Sequence, residues 1–123
     1  MSVTIDTIKE NKEKIANLIE TFSKALQKKN CGAEVLELLH GISFYSEQFF
    51  IAAGLLLEKY GVLSFEKHEI RHMEFVKDLM QFQERLETGE SMLAFDLYDY
   101  VKNWFEDYLQ TTESEILEQI SNN

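Results

Sequence analysis

The chain has 123 residues, of which 45% are hydrophobic, so it is long enough for a single domain with a buried core. Its formal net charge is -10, and a surface this negative repels phosphate backbones and anionic membranes. Neither a nucleic acid nor a membrane is therefore expected as a partner. With no proline and only five glycines, the composition favours long helices, and we predict one all-α domain over residues 1–123.

Three features of the sequence predict a cytoplasmic protein. Cys31 is the single cysteine and has no intrachain disulfide partner, which fits a reducing compartment. The first residues lack the basic region and apolar run of a signal peptide. The longest apolar stretch, Phe49–Leu57, is too short to span a bilayer.

Helix-breaking residues divide the chain into four predicted helices. The breaks fall at 29–32, at Gly61 with Ser64 as the N-cap of the next helix, and at 88–91. Connections this short join antiparallel neighbours, so we expect an up-down-up-down antiparallel four-helix bundle. The predicted helices are Thr4–Lys28, Ala33–Tyr60, Phe65–Glu87 and Ser91–Ile120.

Apolar residues recur at alternating spacings of three and four, which marks the inward face of each helix. On the first helix this stripe comprises Ile8, Lys12, Ile15, Ile19, Phe22 and Leu26. On the second it comprises Val35, Leu38, Ile42, Tyr45, Phe49, Ala52 and Leu56. On the third it comprises Phe65, His68, His72, Phe75, Leu79, Phe82 and Leu86. On the fourth it comprises Leu97, Val101, Trp104 and Tyr108, and it then becomes irregular before Ile116 and Ile120.

The polar residues on these stripes converge on one layer of the predicted bundle. Lys12 lies near the start of the first helix, and His68 and His72 lie near the start of the third, which runs parallel to it. The fourth helix enters from the opposite end and brings Tyr108 and Glu113 to the same depth.

Two interpretations of this layer remain open. Histidines four residues apart can bind one metal ion, and His68, His72 and the Glu113 carboxylate, with Tyr108 as a further ligand, suit one iron or zinc ion. Alternatively, the layer is a metal-free network in which a buried Lys12 pairs with Glu113.

Three segments resemble the hemerythrin family, specifically its short bacterial domains, and the resemblance covers nearly the whole chain. Residues 61–75, GVLSFEKHEIRHMEF, resemble the family's G-Y-P-x4-H-x3-H-x2-F segment. Residues 103–113, NWFEDYLQTTE, resemble W-L-x2-H-I-x3-D, and residues 12–22, KEKIANLIETF, resemble H-K-K-L-x2-L-I-x2-L. On the second helix, FFIAA at 49–53 takes the place of H-F-x2-E.

This resemblance implies a degenerate two-iron centre. Family members hold two irons with five histidines and two bridging carboxylates, and only the His68 and His72 positions are retained, with Glu113 in place of the bridging aspartate. Other ligand positions hold Lys12, Phe49, Ala53 and Tyr108. Reversible oxygen binding takes one electron from each of two irons, and a site that can hold only one metal ion cannot supply both electrons. We therefore do not expect a conventional oxygen carrier. One hypothesis is a domain that binds a single iron or zinc ion, and the other is a metal-free scaffold or signalling domain.

Other classes of function have weaker support in the sequence. His40 in HGIS resembles the active site of a histidine phosphotransfer domain, but the downstream lysine is missing. No nucleophile motif, Gly-rich phosphate loop or HExxH sequence is present, so we expect no enzyme. A protein partner or a homo-oligomer fits Phe44, Tyr98 and Tyr100, which fall off the predicted core stripes.

Overall fold

The computed structural model describes residues 5–28, 32–59, 65–88 and 93–121, without the side chains of residues 65–68 and 119–121. This part of the chain is all-helical, as the sequence predicts. A π-helical turn at Phe105–Leu109 joins the last two helices into one continuous segment. The helices are α1 (Ile5–Ala25), α2 (Gly32–Lys59), α3 (Phe65–Glu87), α4 (Leu93–Trp104) and α5 (Gln110–Ser121).

Where the predicted helix ends fall on described residues, they agree with the structure to within one residue except at the end of α1. The helix ends at Ala25 and not at Lys28, because the chain tightens there into a turn with i to i-3 hydrogen bonds. Most of the predicted breaks lie outside the described residues, which omit 29–31, 60–64 and 89–92 and therefore Cys31 and Ser64. Gly32, predicted in the first break, is instead the first residue of α2, whereas Thr88 lies in a turn as predicted. None of the helices in the described part has the length and apolarity needed to cross a membrane.

The predicted inward stripes form the core. Of the stripe residues whose side chains are described, most are buried, and Tyr45, Phe82, Leu26 and Leu86 pack against the buried cluster from its edge. Burial of these apolar side chains is the main stabilising contribution to the helices. The fully buried members with the largest side chains include Ile8, Ile15, Phe22, Ile42, Phe75, Leu97 and Val101.

Close approach between α1 and α2 depends on Gly41. A Cβ atom at this position would lie 3.1 Å from Leu18 Cδ1, so the absence of a side chain lets the two helices pack tightly. Nearby, the Lys14 ammonium lies 5.2 Å from the centre of the Tyr45 ring. We conclude that α1 and α2 are held by direct packing along much of their length.

The π-helical turn explains why the stripe on the last helix becomes irregular. The Gln110 N–H donates to the Phe105 carbonyl, five residues back, so this turn contains one residue more than an α-helical turn. Because of the added residue, the buried positions shift by one along the chain. They include Trp104 and Tyr108 before the shift and Leu109, Glu113 and Ile116 after it. Straight helical geometry from Tyr108 favours Thr112 as the inward residue, whereas the structure buries both Thr112 and Glu113.

We predict that deletion of Glu106 is tolerated better than insertion of one alanine after it. Glu106 is an exposed residue of the π-helical turn, and its deletion converts the turn to a regular α-helix while Glu113 and Ile116 stay inward. The insertion rotates α5 by roughly 100° and removes both residues from the core. Urea unfolding should show the insertion variant less stable than the deletion variant by about 2 kcal/mol or more. Equal stabilities would contradict this account of the turn.

Candidate functional site

Lys12 and Glu113 form an ion pair between α1 and α5. Lys12 Nζ lies 2.7 Å from Glu113 Oε2, and the side chains are 32% and 10% exposed, respectively. Oε2 itself is enclosed and makes no well-aligned hydrogen bond, so the attraction is chiefly that of opposite charges. A carboxylate this deeply buried needs a counter-charge, and Lys12 provides it while its own side chain stays one-third exposed. The metal-free interpretation of the sequence predicted this pairing, although Lys12 is one-third exposed and not buried.

Tyr108, which lies five residues before Glu113 in the sequence, is buried and contacts α3. The Arg71 guanidinium carbon lies 4.7 Å from the centre of the Tyr108 ring, a cation–π contact. Burial raises the pKa of the Tyr108 phenol and Glu115 acts in the same direction, whereas a hydrogen bond with Thr112 and the charge of Arg71 oppose the shift. The net effect favours the neutral phenol over the phenolate that a metal ion would bind.

His72 is buried and lies against an aromatic side chain of α2. Its ring stacks on Phe50, with the ring centres 4.2 Å apart and the planes 7° from parallel. Burial lowers the pKa of His72, and the nearby Glu47 carboxylate offsets this only in part. The imidazole is therefore held in its neutral form at pH 7.

The rest of the layer is aromatic and apolar. Phe75 of α3 and Trp104 of α4 stack face to face, with their ring centres 3.8 Å apart. Trp104 lies four residues before Tyr108 in the sequence. Phe49 and Ala53 are buried at 2% and 3% exposure, so the two positions where the hemerythrin pattern has a histidine and a glutamate face the core with apolar groups. These positions can provide no metal ligand.

The predicted site residues are thus divided among three contacts. Glu113 is paired with Lys12, His72 is stacked on Phe50, and Tyr108 lies under Arg71. Within the described part of the chain, no three residues of His, Cys, Asp or Glu are grouped so that they could hold a metal ion. The side chain of His68 lies outside the described residues, so its role remains a prediction.

Sequence reasoning missed Arg71 and Phe50 as members of this layer. Both lie one position away from an inward residue, and the helical repeat alone assigns such positions to the boundary between core and solvent. Only the distances between helices show that Arg71 reaches Tyr108 and that Phe50 reaches His72. The sequence carried a weak signal for Arg71, because it lies between the two histidines of the third-helix motif.

Comparison of the chain with models of protein families, with curated proteins and with solved structures found no match.

We predict an asymmetry between the two halves of the ion pair. Lys12→Met leaves the Glu113 carboxylate buried without a counter-charge and should lower the free energy of unfolding by about 2–3 kcal/mol. Glu113→Gln leaves Lys12, which is one-third exposed and can turn to water, so the loss should be about 1 kcal/mol. The double variant should be more stable than Lys12→Met alone. Urea unfolding of the four proteins measures the cycle, and an equal loss in the two single variants would contradict it.

We also predict that His72 makes the protein sensitive to acid. Its pKa is lowered from the ordinary value of 6.5 in the folded state, so below pH 6.5 the unfolded chain binds a proton that the folded chain does not. The contribution of His72 to stability is therefore complete above pH 6.5 and is lost as the pH falls through the folded-state pKa. The exposed His40 provides a control. Between pH 7 and pH 5, thermal unfolding of His72→Gln should decline less steeply than that of the unsubstituted protein or His40→Gln.

Proposed function

We propose that this chain is a metal-free scaffold that binds other protein chains, without enzymatic activity or conventional oxygen transport. Its architecture in this proposal is an up-down-up-down, hemerythrin-like bundle whose metal layer has become an internal ion pair with surrounding aromatic stacks. The observation that carries the proposal is the 2.7 Å contact between Lys12 and Glu113.

The order of contacts along the helices supports the proposed topology. Between α1 and the last helical segment, Phe22 contacts Tyr98 whereas Lys12 contacts Glu113. Between α3 and the same segment, Asp78 accepts a hydrogen bond from Tyr100. In each pair, the residue later in one helix meets the residue earlier in the other, as antiparallel neighbours do. The contacts Lys14–Tyr45, Lys28–Glu34, Phe50–His72 and Arg71–Tyr108 follow the same order.

The donor set does not fit a two-iron centre. Two irons held in a protein need several imidazoles and bridging carboxylates, whereas the corresponding positions hold Lys12, Phe49, Ala53 and Tyr108. The remaining carboxylate, Glu113, already has an ammonium group as its counter-charge. A divalent cation at Glu113 would have to displace Lys12 or share the carboxylate with it at the cost of strong repulsion.

A single metal ion is the competing hypothesis, and one observation favours it. His72 is buried in its neutral form, which is the form that binds metals. Another observation favours the scaffold, because the Glu113 carboxylate that such an ion would need is already paired with the Lys12 ammonium. We therefore infer that the layer fixes the relative positions of the helices and that function resides on the outer surface.

Metal titration separates the two hypotheses. Protein purified without an affinity tag should contain no stoichiometric iron or zinc by elemental analysis. Addition of Zn²⁺ or Fe²⁺ should leave the unfolding temperature unchanged, because an ion that does not bind the folded state cannot stabilise it.

Two histidine variants make this result interpretable. If one equivalent of metal is bound and is lost in His72→Ala but retained in His40→Ala, the scaffold proposal is wrong and the single-ion site is correct. Lys12→Ser provides the complementary measurement, since removal of the ammonium should create metal affinity only if Lys12 is what excludes a cation from Glu113. Metal binding by Lys12→Ser and none by the unsubstituted protein would support the proposal most directly.

A further inference from the structure

The outward sides of α2 and α3 carry a row of large apolar side chains. The six residues of this set, which we call the α2–α3 face, are each roughly half to two-thirds exposed. Monomeric proteins seldom expose large apolar residues in such a contiguous group. The residues are Phe44 at 54%, Ile51 at 47%, Leu55 at 48%, Ile70 at 59%, Met73 at 64% and Met80 at 65%.

The two helices align these residues in pairs at equal height. Phe44 and Met80 line one groove of about 290 Å³ between α2 and α3, and Phe50 stacks on His72 about two helical turns away. Counting from these contacts along antiparallel helices places Ile51 beside Met73 and Leu55 beside Ile70. A second groove, of about 620 Å³, runs along α3 past Met73 and Met80.

One polar pair interrupts the face. The same register places Glu47 of α2 at the height of Lys77 of α3, between the Phe44–Met80 pair and the Ile51–Met73 pair. Both side chains are exposed. The face therefore presents apolar groups along both helices, with a negative charge on one helix opposite a positive charge on the other.

This arrangement is complementary to itself. A two-fold axis parallel to the helices would lay α2 of one copy over α3 of a second copy, antiparallel and at the same height. Phe44 would then meet Met80 of the second copy, Ile51 would meet Met73, and Leu55 would meet Ile70. Glu47 would meet Lys77 of the second copy twice, once on each side of the axis.

We propose that the α2–α3 face is the interface of a homodimer with this two-fold arrangement. The inference rests on the proposed scaffold function in that it names a second copy of the chain as the bound partner. Methionines at positions 73 and 80 suit such an interface, because their flexible side chains adapt to an opposing surface. The charge of -10 on each copy opposes association only weakly at physiological salt, where charges more than about 8 Å apart are screened.

Charge-swap variants test the arrangement. In Glu47→Lys two lysines face two lysines across the axis, and in Lys77→Glu two carboxylates face two carboxylates. Sedimentation equilibrium should show the unsubstituted protein as a dimer and each single variant at least tenfold weaker in self-association. An equimolar mixture of the two variants should form a heterodimer, because each lysine then faces a carboxylate.

The mixture distinguishes pairing across the interface from effects within one chain or of total charge. If total charge governed association, Glu47→Lys, with formal charge -8 after the gain of two units from -10, would associate more strongly and not less. Met73→Gln should also weaken the dimer, whereas Phe95→Gln, which removes an exposed aromatic side chain on α4, should not. Circular dichroism melts of all variants confirm that each is folded.

Two results would overturn the inference. One is a monomer at concentrations up to about 100 μM, which leaves no affinity in the range of a specific dimer. The other is a dimer whose strength is unaffected by the charges at positions 47 and 77. Metal content measured in the same samples keeps the two proposals separate. A metal-bound dimer would contradict only the scaffold proposal, and a metal-free monomer would contradict only the dimer proposal.

Discussion

The burial of Glu113 is the constraint on which the rest of the structure depends. A carboxylate that is only 10% exposed requires a counter-charge, and Lys12 provides an ammonium 2.7 Å away. The pair fixes the depth at which α1 and α5 meet. It also requires that Glu113 point inward, which a regular helix continued from Tyr108 would not achieve. The extra residue of the π-helical turn at Phe105–Leu109 provides that rotation.

Three further contacts involve aromatic side chains of α3 and its neighbours. His72 on Phe50, Arg71 on Tyr108 and Phe75 on Trp104 each join α3 to a different neighbour or to a different point along it. Of the groups that the resemblance to hemerythrins would assign to metal, the Glu113 carboxylate is paired with Lys12, whereas the rings of His72 and Tyr108 are covered only on a face. Phe50 and Phe75 add no polar groups to these contacts, whereas the Trp104 indole nitrogen is buried without a hydrogen-bond partner. The layer is therefore suited to holding four helical segments at fixed positions.

The outer surface, in contrast, exposes several large apolar side chains. Of the three aromatic residues that the sequence placed off the core, Tyr98 packs on Phe22 and Tyr100 donates to Asp78, whereas Phe44 is exposed. Phe44 belongs to the row of apolar side chains on α2 and α3, which stands out against a chain with 28% charged residues. A core that is closed and an outer face that is apolar together favour a role in association.

The sequence by itself determined the helical class, most of the helix bounds that the structure describes and the inward stripes, and it offered the Lys12–Glu113 pairing as one of two interpretations of the polar layer. It could do so because hydrophobic periodicity is a local property and because a buried carboxylate has few choices of counter-charge. Only the tertiary structure decided where the helical repeat is broken, since a π-helical turn forms when packing on both sides of it outweighs its poorer geometry. It also decided that the exposed Arg71 covers Tyr108, that the partly buried Phe50 stacks on His72, and that α2 and α3 align their exposed apolar residues. These features depend on distances between helices, which a repeat along one helix does not encode.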